Sequence, residues 1–306
     1  MKSSTSTNLR IASAAYPIER LADLDAWREK QAHWLSKAAS QGAQIAVFPE
    51  YAGLEIIGTF PDDLAHDLTN SIRALSDLVP EIDSTLTALS QQHDIMVLAG
   101  SLPILQPDSS YRNVARWFTP SHEGVTAKIE KIMMTRFERE TWGIAGGDSL
   151  KVLETPIGSI GVLICYDCEF PQVARQMCAH GAEVLLIPSC TDTLSGAARV
   201  RISARARALE SQCYTVVAPT VGRAPWSPAT DVNLGRTGFY GPPDQRMPTD
   251  GRIAEGEIDQ PGWLVCDLDL NIIRKIRNDG EVLNFKDWSE SDRALPVLQV
   301  PVEGAD

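Results

Sequence analysis

Short apolar runs alternate along this chain with longer stretches in which apolar residues recur at helical spacing. LRIASAAYPI, residues 9–18, reads as a strand, and LDAWREKQAHWLSKAASQGA, 24–43, reads as an amphipathic helix ending at Gly42. QIAVFPE is then a buried strand that halts at Pro49 and Glu50. A loop rich in turn residues follows. IDSTLTALSQQHD (82–94) is predicted as a helix and IMVLAGSLPI (95–104) as a strand.

The middle of the chain is richer in strands: NVARWFTP, VTAKIEKIMM (125–134), LKVLETP and GSIGVLIC, punctuated by Pro120, Gly124 and TPIGS. From residue 171 the helix and strand rhythm returns. PQVARQMCAHGA and AARVRISARARALESQ are predicted helices, and EVLLIPSC, CYTVVAPTV and GWLVCDLDL are predicted strands. Such alternation predicts an α/β fold, with two α/β halves joined through a strand-rich middle. Two mixed sheets packed face to face with helices outside fit this order. A single doubly wound sheet is the alternative that pattern alone leaves open.

Composition narrows the function classes. With 306 residues, 43% hydrophobic and 22% charged, the chain can build one large domain. A formal net charge of -12 repels a phosphate backbone, and no Lys/Arg block offers a local exception, so nucleic acid is not an expected partner. No apolar run approaches the ~20 residues of a membrane span, and the polar MKSSTSTNLR start lacks the apolar centre of a secretory signal. The expectation is a soluble cytoplasmic protein. Six cysteines are too sparse for a disulfide scaffold. Cys165 and Cys168 form a C-x-x-C, but no second such pair or clustered His accompanies it. A redox role is therefore an outside reading, and no metal or cofactor is expected.

Three predicted strand ends each place a reactive side chain where an apolar run stops: Glu50, Lys131 and Cys165. A carboxylate can take the thiol proton, a thiolate can attack a carbonyl or nitrile carbon, and an ammonium can stabilise the charge that develops. Each has a bland reading too. Glu50 could be a solvated strand end, Lys131 an edge-strand lysine that discourages aggregation, and Cys165 a core thiol. Those separate readings do not explain the joint pattern. The histidines at 33, 66, 93, 122 and 180 fall on predicted helix surfaces or turns, so a Cys-His dyad has little support.

The segments VFPEYAG, IEKIMM and GVLICYDCEFP, in that order, resemble the nitrilase superfamily of carbon-nitrogen hydrolases, and PSCTDT and RARALESQCY extend the likeness from residue 9 to about 275. MTRFERETWGI, ICYDCEFP and RAPWSP further resemble a branch sometimes fused to an N-acetyltransferase-like domain, with no such domain expected before residue 9. The resemblance implies a four-layer α-β-β-α sandwich with two mixed sheets. It divides the chain into a disordered tail (1–8), a hydrolase domain (9–275) and a C-terminal extension (276–306).

The resemblance also implies roles. Glu50 is the general base, Lys131 the oxyanion-stabilising cation, Cys165 the nucleophile, and the Tyr166 backbone N–H a second oxyanion donor. An additional active-site carboxylate is assigned to Glu140, with Glu138 as the competing choice. Glu169, Thr191 and Asp192 are substrate-pocket candidates. Many relatives carry Arg where this chain has Glu169, and the plainest account of Glu169 is a pair with Arg175 or Arg199. The implied activity is cysteine-dependent hydrolysis of a small-molecule amide through a thioester. A nitrile substrate, or a catalytically silent scaffold, is the alternative. A homodimer or higher homo-oligomer is implied, with the Arg-rich segment ARVRISARARALESQ (198–212) as a candidate contact.

Overall fold

Capping side chains and strand alternation account for most of the elements. The computed structural model describes residues 8–300. Its first half contains β1 (Asn8–Pro17), α1 (Leu24–Ser40), β2 (Ile45–Val47), α2 (Asp62–Ala65), α3 (Leu68–Asp77), α4 (Val79–His93), β3 (Met96–Leu105), β4 (Tyr111–Phe118) and β5 (Ala127–Glu130). After β6 (Ile144–Ala145), the second half contains β7 (Val152–Thr155), β8 (Gly158–Val162), α5 (Pro171–Ala179), β9 (Val184–Ser189), α6 (Leu194–Ser211) and β10 (Tyr214–Arg223). The chain closes with β11 (Val232–Asn233), β12 (Gly238–Tyr240), β13 (Arg252–Glu255), β14 (Gly262–Asp269), α7 (Leu270–Asp279) and α8 (Asn284–Ser291).

Helix starts are chemically marked. Asp23, Asp67 and Thr193 accept backbone N–H groups at the N-termini of α1, α3 and α6, and Pro171 opens α5 where its missing N–H costs nothing.

The strands form one hydrogen-bonded path in the order β5-β4-β3-β2-β1-β10-β9-β8-β7. β1, β2 and β3 run parallel, as do β10, β9 and β8, while antiparallel pairs close both ends. Where two separate sheets are expected from the resemblance, the halves are joined by a narrow seam, Tyr16 with Thr220 and Pro17 with Val221. Elsewhere β1 is covered by β14, from Asn8 to Ala15.

Period-2 alternation sorts the β1 side chains into two cores. Ala12 and Ala14 pack with Trp27 and Leu35 of α1 and Ile82 and Leu86 of α4. Leu9 and Ile11 join Ile45 and Val47 in a second core, shared with Ile160 and Val162 of β8, Val184 of β9, and Met177 and Ala204 of α5 and α6. Each Leu, Ile, Val or Met side chain among these contributes about 1.5–3 kcal/mol on burial. This second core presses the two halves together despite their narrow seam.

The predicted loop between residues 51 and 81 instead holds a 3₁₀ helix, Ala52–Thr59, followed by α2 and α3. Leu54, Ile56 and Ile57 are buried there, and tertiary packing, not local periodicity, makes the 3₁₀ segment helical. The strand expected over 125–134 stops at Glu130. The expected boundary between 275 and 276 falls inside α7, whose Ile273 and Ile276 are both buried. Residues 1–7 of the expected tail lie outside the described residues, and Asn8 opens β1. Among the described residues, no helix is long and apolar enough to cross a membrane.

Candidate active site

β2, β5 and β8 end at a common point. Beyond β2 the chain passes through Phe48 and Pro49 to Glu50; one residue beyond β5 lies Lys131; and β8 leads through Leu163 and Ile164 to Cys165. All three side chains are buried, Glu50 and Lys131 to 1% exposure and Cys165 to 5%. Lys131 Nζ donates to Glu50 Oε1 at 2.8 Å. It also donates to Glu138 Oε1 and Oε2, each at 2.7 Å. The Cys165 thiol donates to the Cys190 carbonyl oxygen at 3.6 Å, one residue past the end of β9, and the N–H of that same Cys190 donates to Glu50 Oε2.

Neighbouring groups hold each member in place. Glu50 accepts from Asn113 Nδ2 and from the Cys190 N–H, both at 3.0 Å. The Lys131 N–H donates to the Asn113 carbonyl at 2.9 Å, and its carbonyl accepts from the Gly147 N–H at 2.7 Å. That approach needs glycines: a Cβ on Gly146 would stand 2.7 Å from the Ile132 carbonyl oxygen. Cys165 adopts φ +50° and Tyr51, next to Glu50, φ +59°. This left-handed backbone costs a non-glycine residue about 1–3 kcal/mol and persists only where surrounding contacts over-determine it.

Two adjacent acids separate cleanly. Glu140, expected to orient Lys131, is exposed and pairs with Arg136 at 3.0 Å. Glu138 occupies the place on Lys131 instead, a correction that the local backbone explains. Thr135 and Glu138 form a reciprocal capping box: the Thr135 N–H donates to Glu138 Oε2 at 2.8 Å, and the Glu138 N–H donates to Thr135 Oγ1 at 3.3 Å. The T-x-x-E spacing in TRFE was the sequence signal for this. Tyr51 completes the cage by donating its hydroxyl to Glu138 Oε1 at 2.5 Å. Sequence reasoning also missed Asn113, Tyr51 and Asp167.

Burial and charge set the protonation states. Burial alone would lower the Lys131 pKa, but facing Glu50 and Glu138 raises it well above the ordinary lysine value. Glu50 is raised by burial, against the pull of Lys131. Burial would also raise Glu138, yet Lys131, Tyr51 and Thr135 together bring it below the usual carboxylate range. Burial and then the Glu50 charge push the Cys165 thiol well up. Burial and charge thus favour the neutral thiol and the protonated amine. Cys168, the other member of the C-x-x-C, is fully buried in the core, where burial raises its thiol too.

A cavity of about 370 Å³ opens over these groups, at the small-molecule end of ligand pockets. Tyr166, Glu169, Thr191 and Asp192 all line it, together with Arg136, Arg199 and Asp231. Glu169 accepts from Arg199 Nε at 3.2 Å, and Thr191 donates its hydroxyl to the Leu234 carbonyl at 2.6 Å. A shallower hollow of about 410 Å³ over α2 and α3 contains no nucleophile; it is lined by Asp63, Asp67, Arg73 and Asp77 among others. Among the described residues, no three His, Cys, Asp or Glu side chains converge as a metal site.

A buried thiol on a left-handed turn, facing an ammonium caged by carboxylates at the strand ends of an α/β sheet, defines a candidate hydrolytic centre. The carbon-nitrogen hydrolase family model matches residues 10–255, and the chain belongs to that family. It is 29% identical over 279 residues to the probable hydrolase YhcX of Bacillus subtilis, which covers 91% of this chain and 53% of that one. The chain thus spans about half the length of this relative. Over 214 residues it is 29% identical to a deaminated glutathione amidase of Yersinia enterocolitica, covering 66% of this chain and 71% of that protein. A carbon-nitrogen hydrolase from Helicobacter pylori shares the fold, with a TM-score of 0.73 at 18% identity over 94% of this chain and 96% of that one.

Proposed function

We propose that the protein is a cysteine-dependent amidase acting on a small-molecule amide through a thioester on Cys165. The observation that carries this reading is the meeting of Glu50, Lys131 and Cys165 at three strand ends under one cavity. Glu50 takes the thiol proton as the sulfur attacks the amide carbon. The negative charge that forms on the oxygen is met by the Lys131 ammonium and the Tyr166 backbone N–H. Glu50 returns the proton to the departing nitrogen, the C–N bond breaks, and ammonia or an amine leaves a thioester. Glu50 then deprotonates a water that attacks the thioester carbon, releasing the acid and restoring the thiol. Glu138 keeps Lys131 charged and aimed.

The same thiol could add to a nitrile carbon, which is the runner-up. The amide reading is preferred because the Yersinia relative is named an amidase. The raised Glu50 pKa suits a base that must take up and give back a proton. The test is intact mass after incubating the Glu50→Gln variant with an amide library. A persistent adduct on Cys165 supports the thioester route and identifies the acyl group; turnover without dependence on Cys165 rules it out.

The wider features of this reading follow from the same assignment. The shared second core supports a four-layer α-β-β-α arrangement with the halves face to face. The length of YhcX beyond the matched region supports the branch with an additional domain. Six free thiols support a reducing, cytoplasmic compartment. Leu194, Ile202 and Leu209 are all exposed and lie within one arc of α6, which supports a homodimer contact on the predicted Arg-rich helix.

A further inference from the structure

Asp167 ties together the two backbone segments that carry the amine and the thiol. Its Oδ1 accepts from the Met133 N–H at 2.7 Å and the Ile132 N–H at 3.1 Å. Its Oδ2 accepts from the Ile164 N–H at 3.1 Å. Lys131 immediately precedes Ile132, and Cys165 immediately follows Ile164. The carboxylate is 2% exposed and does not line the cavity.

The sheet gives this contact its importance. β5 lies at one end of the strand path and β8 next to the other, so no β-ladder fixes the separation of Lys131 from Cys165. Three N–H donors from the two segments converge on one side chain. In its ionised form the carboxyl presents two acceptor oxygens and no donor and satisfies all three, whereas an amide turns an NH₂ toward one of them at every pH. The Ile164 bond also braces the turn that holds Cys165 at φ +50°.

We propose that Asp167 is a positioning residue that sets the Lys131 ammonium against the Cys165 thiol and takes no part in bond making. The proposal rests on the reading of Cys165 as nucleophile and Lys131 as its electrostatic partner. In Asp167→Asn an NH₂ must face one of the three N–H groups, releasing one segment from the other.

The test uses iodoacetamide, with alkylation at each cysteine followed by peptide mass. Glu50→Gln and Lys131→Met report on the underlying reading: if neither changes the Cys165 rate, that reading fails. Given their effect, Asp167→Asn is expected to slow Cys165 alkylation by on the order of tenfold or more, since small misplacements of reacting groups are costly. Asp167→Glu, which keeps both oxygens, is expected to recover part of that rate. Buried Cys168 is the internal control for unfolding. A Cys165 rate within twofold of wild type in Asp167→Asn, with Cys168 still protected, overturns the proposal. If Cys168 becomes reactive, hydrogen exchange of the wild-type protein decides. The Ile132, Met133 and Ile164 amides are expected to exchange as one slow unit, and exchange at the pace of exposed loop amides overturns the clamp.

Discussion

Lys131 donates to both carboxylate oxygens of Glu138, at 2.7 Å each, while Glu140 two residues later faces solvent. Glu138→Gln removes the charge that fixes the ammonium, and kcat on the trapped amide should fall about 100-fold, the scale of a small misplacement at a reacting centre. Glu140→Gln should stay within about twofold, as a solvent-exposed pair contributes little. Steady-state kinetics on the two variants separates them, and equal losses would put the caging role of Glu138 in error.

Cys165→Ala should abolish turnover and leave the melting temperature near wild type, because the side chain lost is small. Cys168→Ala should retain activity and lose about 1 kcal/mol through the core space it vacates. Loss of activity in both variants alike would instead favour a role for the C-x-x-C as a pair. Thermal melts alongside kinetics make the comparison.

Burial lifts the Asp167 carboxyl from 3.8 to about 7, against the opposing pull of its backbone N–H donors and of Lys131. The native state therefore binds the proton more readily than the unfolded chain. The stability this contributes is complete below about 4 and is lost as pH rises through about 7. Asp167→Asn abolishes that titration, so the decline in melting temperature between pH 4 and 7 should be shallower in the variant. Parallel curves at constant ionic strength would show that Asp167 does not titrate in this window.

At the cavity mouth, Glu169 is paired with Arg199 and Arg136 with Glu140. Asp192 and Asp231 also line the cavity, and neither makes an ion pair among the described residues. An amide carrying a terminal amine should therefore react faster than its carboxylate counterpart. Attraction of ~1 kcal/mol at ~4 Å in water makes the ratio of kcat/KM about fivefold. Asp192→Asn should narrow it. Equal rates for a matched pair of acyl amides would return these acids to solvation alone.

The apolar arc on α6 gives a direct test of assembly. Ile202→Lys places a charge at its centre and should shift a sedimenting dimer to monomer at micromolar concentration. A wild-type chain that sediments as a monomer under those conditions would discount the contact.

Much of this arrangement was legible in the sequence because reactive side chains at strand ends are announced by apolar runs that stop. Glu50 and Cys165 follow such runs directly. Lys131 was legible only in part, since the predicted strand continued four residues past the true end. Glu138 and Glu140 differ by two positions in one polar segment, and only the Thr135 cap decides which turns inward. The 3₁₀ helix at Ala52–Thr59 has no helical period and owes its form to burial, whereas α3 carries Leu68, Ile72 and Leu75 at helical spacing behind its Asp67 cap. Asp167 was hidden for a different reason: its partners at Ile132 and Met133 are backbone groups more than thirty residues away, which no side-chain pattern reveals.

The narrow seam between β1 and β10 has a consequence for when the protein becomes chemically competent. Glu50 and Lys131 belong to the half made first, and Cys165 to the half made later. A chain whose halves have not yet met holds a thiol without its base or its cation, with the chemistry of any isolated cysteine. On the proposed mechanism, synthesis therefore passes Cys165 before its base and cation stand beside it, and docking of the second half completes the site.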